Sequence, residues 1–345
     1  MKIKRYFGYM AAIMLMSSVI LFLAGRLSIL FTEACDKHYY EYYKENYKGY
    51  ISPWYTNGLH VVDEGFIDSL DSMVSSTNDT GNIIAIGSSL TAMEFDAEKQ
   101  KERLRDHYDM YVFASGSGSW RTNIVLDNLI RTEYDYTDKD IVKLEVSYST
   151  FRNADELTIA EATIDKWGKY RVDDDLSVKK NTWLFSPIYA MNVELMRMQN
   201  VSEIVTSYFN KQDMDAGVGP ANYRNNYFNH ESVAESFATT DERIEIIKSQ
   251  ILRLDNDTNV VVEFSPIAPG LKKTDSGREY TKCVKQVLKP FLKKHKIKYL
   301  DYRGNYREDE FIDGAHLSYD ASIRYTLKLD HDLNKIIDSL DEEQQ

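Results

Sequence analysis

The chain predicts an α/β fold: a doubly wound parallel sheet of five strands with helices on both faces, and one N-terminal transmembrane helix. Three observations predict it. Short apolar runs recur at Ile83–Ile86, Tyr111–Ala114, Ile141–Val146, Asn259–Phe264 and Ile297–Leu300, most of them closed by small or turn-forming residues. Helical patterns separate these runs, and strands that are apolar throughout belong to a parallel sheet covered by helices. The third observation is an almost unbroken apolar stretch from Tyr6 to Ala24, extended by Gly25.

Taken in order, the apolar stretch comes first. A bilayer core needs about 20 such residues. Lys2, Lys4 and Arg5 precede the stretch, and positive charge stays on the cytoplasmic side. Residues 1–30 are therefore expected to be a cytoplasmic N-terminus and anchor in the cell membrane, crossing once, with the rest of the chain outside. A cleaved signal peptide is the alternative. Against it, the run is long for such a signal, Leu23-Ala24-Gly25 is a poor cleavage site, and Thr32-Glu33-Ala34 before Cys35 is distant and not a lipobox. Residues 31–81 form a juxtamembrane segment rich in tyrosine: Tyr39, Tyr40, Tyr42, Tyr43, Tyr47, Tyr50 and Tyr55, with Trp54. Interfacial aromatics explain it. A carbohydrate platform is the alternative.

Residues 82–345 form the main domain. Strand one leads into Gly87-Ser88-Ser89-Leu90, and a charged helix is expected around Ala97–His107. Strand two ends in a loop, Ser115–Ser119, followed by a helix over about Thr122–Thr132. Strand three is followed by a helical insertion, about 151–255, too long for a single crossover. It carries Trp183-Leu184-Phe185, Tyr189-Ala190-Met191 and an irregular stretch from Gly217 to Phe228, and is expected to cap a site. Strand four closes on Ser265-Pro266 and Pro269-Gly270; a helix over about Arg278–His295 leads to strand five, and a last helix spans about Asp320–Leu340.

Composition excludes several functions. The 345 residues carry 42 Lys and Arg against 54 Asp and Glu, a formal net charge of -12. Without a basic stripe the chain has no footprint for nucleic acid. Two cysteines, Cys35 and Cys283, do not make a disulfide framework. The histidines other than His316 (His38, His60, His107, His230, His295 and His331) lack metal-ligand spacing, so no metal is expected. Gly116-Ser117-Gly118 begins like a dinucleotide fingerprint, but Arg121 stands where its third glycine belongs, so no cofactor is expected either.

The chemistry is carried by Ser89 and by Asp313-Gly314-Ala315-His316. A strand ending in a small-residue turn presents a hydroxyl to the following helix. A carboxylate and an imidazole three residues apart share one loop. Serine, histidine and aspartate are the nucleophile, the general base and the group that orients the base in acyl transfer. Singly, a Gly-Ser-Ser turn is common, and Asp-x-x-His also fits a helix cap followed by a surface histidine. Placement distinguishes them: one follows the first strand of the domain and the other the last, and loops at strand C-terminal ends converge on one edge of a doubly wound sheet. The Gly-x-Ser-x-Gly elbow of α/β-hydrolases is not matched, because Thr91 occupies the last glycine.

On these motifs the chain resembles the SGNH, or GDSL-like, hydrolases and acyltransferases, whose sheet is flavodoxin-like. Gly87-Ser88-Ser89-Leu90 stands for their Gly-Asp-Ser-Leu block, Gly116 for the glycine after strand two, and Asp313-x-x-His316 for the last block. Their Gly-x-Asn-Asp block is not matched in Val142–Ser149. The resemblance implies that the backbone N–H groups of Ser89 and Gly116 form an oxyanion hole. Ser147, Ser149 or Asn153 is the candidate for the missing third donor, or nothing replaces it. With its anchor, the chain is similar to the membrane-anchored SGNH proteins that work beside multi-span membrane O-acyltransferases in D-alanylation, alginate and peptidoglycan O-acetylation systems. That implies an extracytoplasmic O-acyltransferase, acetyl in the first instance, acting on an envelope or secreted polysaccharide. A carbohydrate esterase and a non-catalytic accessory protein stay open.

Overall fold

The computed structural model describes residues 6–24, 65–76, 81–94, 104, 108–116, 118–152, 158–167, 169–181, 237–311 and 314–344. Helix α1, Tyr6–Ala24, is long and apolar enough to cross a membrane, and none of its apolar window is buried by the rest of the chain. The expected helix at 97–107 apart from the buried Leu104, the tyrosine-rich stretch, Cys35, residues 182–236, Asn153 and Asp313 lie outside the described residues.

The main sheet has five parallel strands: β1 (Asn82–Ser88), β2 (Asp109–Ser115), β3 (Ile141–Glu145), β6 (Asn259–Phe264) and β7 (Lys298–Asp301), in the spatial order β2-β1-β3-β6-β7. This is the doubly wound α/β fold expected. A parallel strand needs a crossover to reach its neighbour, and the crossovers are helices. Helix α2 (Gly65–Ser75) packs on β2, while α3 (Ser89–Glu94) packs on β1 and β2. Helix α4 (Trp120–Ile130) packs on β1, and α6 (Asp241–Asp255) packs on β6 and on α4. The C-terminal α9 (Tyr319–Gln344) packs on α3. Between β3 and α6 come α5 (Ile159–Trp167) and a small antiparallel hairpin, β4 (Tyr170–Val172) with β5 (Val178–Lys180). The stretch after β3 therefore includes, in α6, a helix that covers the main sheet.

Local chemistry sets the ends. Thr240 Oγ1 accepts the Arg243 N–H at 3.3 Å to start α6, and Thr274 Oγ1 accepts the Gly277 N–H at 3.1 Å to start α7 (Asp275–Cys283). Between α7 and α8 (Lys289–His295) the helix widens into a π turn, Val284–Leu288. Pro290 follows at once; proline lacks an N–H and its ring crowds the preceding turn, and a wider turn relieves both problems. At the end of α8 Lys296 adopts a left-handed conformation, φ 59°, which stops the helix.

Side chains alternate across a strand, so Lys143 and Glu145 share one face of β3. Glu145 pairs in register with Glu263 of β6. On the apolar positions Ile83, Ile84, Ile86, Val142, Leu144, Val260 and Val262 are buried, as are Val125, Leu126 and Leu129 of α4 and Ile247 and Ile251 of α6. Lys143, Glu145 and Glu263 are just as deeply buried, at 0%, 1% and 0% exposure. Charged groups at that depth require partners, and the partners lie beneath the candidate site.

Candidate active site

Ser89 is the first residue of α3, directly after β1. The loop between β7 and α9 carries His316, and a bridge between Phe311 and Leu317 clips its base. A second clip joins it to the sheet: the Ala268 N–H donates to the Gly314 carbonyl at 3.2 Å. Ser89 Oγ and His316 Nε2 lie 2.7 Å apart, although 227 residues separate them. Both side chains are half-buried. At this distance a neutral imidazole accepts the hydroxyl proton, which is the geometry of a base activating a nucleophile.

The β2–α4 loop closes against the nucleophile turn. Ser88 pairs in register with Ser115, and Gly116 follows, buried. Gly118 comes closer still. A Cβ on it would lie 2.5 Å from Ser88 Cβ and 2.8 Å from Ser88 Cα, so only glycine fits there. Downstream, Thr122 Oγ1 accepts the Ser119 N–H at 3.1 Å, and Arg121 is held by Glu161 of α5, with Nε–Oε2 at 2.9 Å and Nη2–Oε1 at 2.7 Å. Burial by itself would raise the Glu161 carboxyl, but donation from Arg121 and Thr158 outweighs it and holds the group below the usual carboxylate range.

Beneath the turn lies Glu145. Its Oε2 accepts the backbone N–H of Ser88 at 2.8 Å, the backbone N–H of Thr91 at 3.1 Å and the Thr91 hydroxyl at 2.7 Å. Its Oε1 accepts the Ser88 hydroxyl at 2.7 Å and the Ser147 hydroxyl at 2.5 Å. Ser149 Oγ sits 2.6 Å from Ser147 Oγ and 3.2 Å from Ser88 Oγ. From α4, Asn123 Nδ2 donates to the Glu145 carbonyl at 2.9 Å. The network continues inward. Lys143 Nζ reaches Thr91 Oγ1 at 3.3 Å and is ion-paired to Glu263, which also accepts the hydroxyl of Tyr325.

The structure thus brings Ser89, His316 and Gly116 to one edge of the sheet. Ser147 and Ser149 also come there, with their hydroxyls bonded into the Glu145 network. Sequence reasoning passed over Glu145, Thr91, Gly118 and Asn123. For Glu145 the sequence carried no clear signal, because with Lys143 it makes β3 alternate in polarity like a strand with one solvent-facing side. Among the described residues no group of three His, Cys, Asp or Glu side chains is arranged to hold a metal ion. Cys283 is a buried thiol pushed up to about 11 by burial, which makes it a poor nucleophile.

No protein-family model and no curated protein matches the chain. Among solved structures it is similar to a member of the lipolytic G-D-S-L family from Veillonella parvula, at 10% identity and TM-score 0.35, covering 72% of this chain and 95% of that one. It is also similar to Est24, a carbohydrate acetylesterase from Sinorhizobium meliloti, at 12% identity and TM-score 0.36, covering 74% and 99%. A third is Axe2, an acetylxylan esterase from Geobacillus stearothermophilus, at 9% identity and TM-score 0.37, covering 73% and 94%. Likenesses at this level carry no argument about function, which rests on the geometry of the site.

Proposed function

We propose that this protein is an extracytoplasmic serine O-acyltransferase of the SGNH type, tethered to the cell membrane and acting on an envelope or secreted polysaccharide. The observation that carries the reading is the 2.7 Å contact of Ser89 Oγ with His316 Nε2 at the edge of a doubly wound sheet. In the first step His316 takes the Ser89 proton while Oγ attacks the carbonyl carbon of an acyl donor. The leaving group then departs with that proton, and an acyl-serine remains. In the second step a sugar hydroxyl gives its proton to His316 and attacks the acyl carbon, and collapse returns the proton to Ser89. Asp313 orients the imidazole and stabilises its charged form. The backbone N–H groups of Ser89 and Gly116 stabilise the oxyanion, each such donor being worth about 3 kcal/mol.

The anchor favours transfer. Helix α1 is apolar enough to span a bilayer, and the basic residues before it orient the main domain outward. A tether near a multi-span acyltransferase raises the effective concentration of a membrane-delivered donor without new contacts. Transfer also requires a site that positions a sugar hydroxyl and excludes water. The segment between β3 and α6 is the candidate for that acceptor cleft.

The test is genetic and chemical. Deleting the gene is expected to lower O-acylation of an envelope polymer, and Ser89→Ala is expected not to restore it. If deletion raises acylation and the purified protein releases acyl groups into water, the reaction is hydrolysis. Full restoration by Ser89→Ala would make the protein a non-catalytic accessory.

A further inference from the structure

Glu145 lies too deep to meet a substrate, at 1% exposure, and nothing in the acyl-transfer steps uses it. Six groups converge on its carboxylate, and four of them, the N–H and hydroxyl groups of Ser88 and Thr91, belong to the short segment that holds the nucleophile. The N–H groups of Ser88 and Thr91, one on either side of Ser89, both donate to Oε2. The Leu90 N–H joins indirectly, donating at 3.2 Å to Ser88 Oγ, which in turn donates to Glu145. Ser89 is thus flanked on both sides by backbone fixed to one carboxylate.

The surrounding sequence is shaped to admit that carboxylate. A Cβ on Gly87 would lie 2.1 Å from Thr91 Oγ1, 2.5 Å from Glu145 Oε2 and 2.8 Å from Glu145 Cβ. Glycine at 87 therefore makes room for the carboxylate under the turn. Asn123 fixes the backbone of Glu145 itself, and Ser147 and Ser149 fill the remaining acceptor positions. Burying a carboxylate costs several kcal/mol unless its acceptors are filled, and here donors from two segments, Ser88–Thr91 and Ser147–Ser149, fill them.

From this geometry we infer that Glu145 is a positioning residue: by accepting the Ser88 and Thr91 N–H groups it fixes the nucleophile turn so that Ser89 Oγ faces His316. The inference rests on the proposed role of Ser89 and deepens it. It predicts loss of reactivity at Ser89 without loss of binding, because Glu145 touches the turn and not the ligand. Hydrogen-bond acceptance at the right place is what matters. A glutamine can direct its oxygen to the two N–H groups and its NH2 to the serine hydroxyls, which can turn to accept. Methionine fills the volume with no comparable acceptor. Aspartate keeps the charge but withdraws it by about 1.5 Å, one carbon–carbon bond.

The experiment uses the full chain in detergent and a fluorophosphonate, with the maximal labelling rate and the half-saturating concentration measured separately for each variant below its melting temperature. Glu145→Met is expected to lose on the order of 10²-fold in maximal rate, the cost of misplacing a reacting group by about 1 Å, at unchanged half-saturation. Glu145→Gln is expected to stay within about tenfold of wild type, the worth of one hydrogen bond. Should Glu145→Met not fold, Glu145→Asp carries the test, with a loss again on the order of 10²-fold in rate alone. Wild-type rates in a folded Glu145→Met or Glu145→Asp overturn the inference, as does a Glu145→Gln impaired as severely as Glu145→Met. If wild type itself is not labelled at Ser89, the reading of the site fails first, and the two failures are told apart by that control.

Discussion

Replacing Gly118 by alanine tests the site through a residue that carries no chemistry. The new Cβ would stand 2.5 Å from Ser88 Cβ, 2.8 Å from Ser88 Cα and 3.3 Å from the Ser115 carbonyl oxygen, whereas ordinary contact begins at 3.4 Å. The gap must therefore open by about 0.9 Å at Ser88 Cβ. The obstructing atoms lie at and next to the backbone, so the strain cannot be absorbed by the far end of a flexible side chain. Ser88 is bonded directly to Ser89, and a shift of that size exceeds the tolerance of about 0.5 Å for a working constellation. Gly118→Ala is expected to lower the rate of fluorophosphonate labelling on the order of 10²-fold and to lower stability by about 1–3 kcal/mol. Gly304→Ala is the control, since nothing lies within 4 Å of its new Cβ. Labelling rate and thermal midpoint would be measured on all three proteins. A folded Gly118→Ala that labels at the wild-type rate would refute the argument that this loop packs on the nucleophile turn.

Three further outcomes are expected. Lys143→Met leaves Glu263 buried without its cation and should cost about 3–5 kcal/mol in urea unfolding, while Lys143→Met with Glu263→Leu should recover most of that loss; equal losses in single and double variants would contradict the pairing. Glu161 is held below its ordinary value of 4.5 by Arg121 and Thr158, so its stabilising contribution is complete above that value and is lost as pH falls through the lower folded value. Arg121→Met should therefore be less stable than wild type at neutral pH, with the difference shrinking as pH falls through the acid range, and a pH-independent difference would oppose this assignment. The full chain should sediment with membranes and a chain beginning at Cys35 should not; full-length protein in the soluble fraction would end the anchor reading.

The sheet was legible because most of its strands are short, mainly apolar runs separated by helical patterns. Asn259–Phe264 agrees to the residue, and the other strands differ at their ends by a residue or two. Helix α2 was missed because it falls in the segment read as juxtamembrane, although Phe66, Leu70 and Met73 recur at helical spacing and are all buried. The β4–β5 hairpin escaped because strands of three residues around an aspartate-rich turn carry almost no periodic signal. Ser89 and His316 were found from strand order. Glu145 was not. Val142-Lys143-Leu144-Glu145-Val146 alternates in polarity and so reads locally as a strand with one wet face. Its donors come from Ser88, 57 residues earlier, and from α4, and only the assembled sheet shows that the polar face is the inner one.

The central claim is that His316 activates Ser89 and not the adjacent Ser88. Mass-spectrometric mapping of the phosphonylated residue tests it most directly. The account predicts a single adduct on Ser89 in the wild-type protein, absent in Ser89→Ala and strongly reduced in His316→Ala. An adduct on Ser88, undiminished labelling of Ser89→Ala, or no adduct on the folded wild-type protein would contradict it.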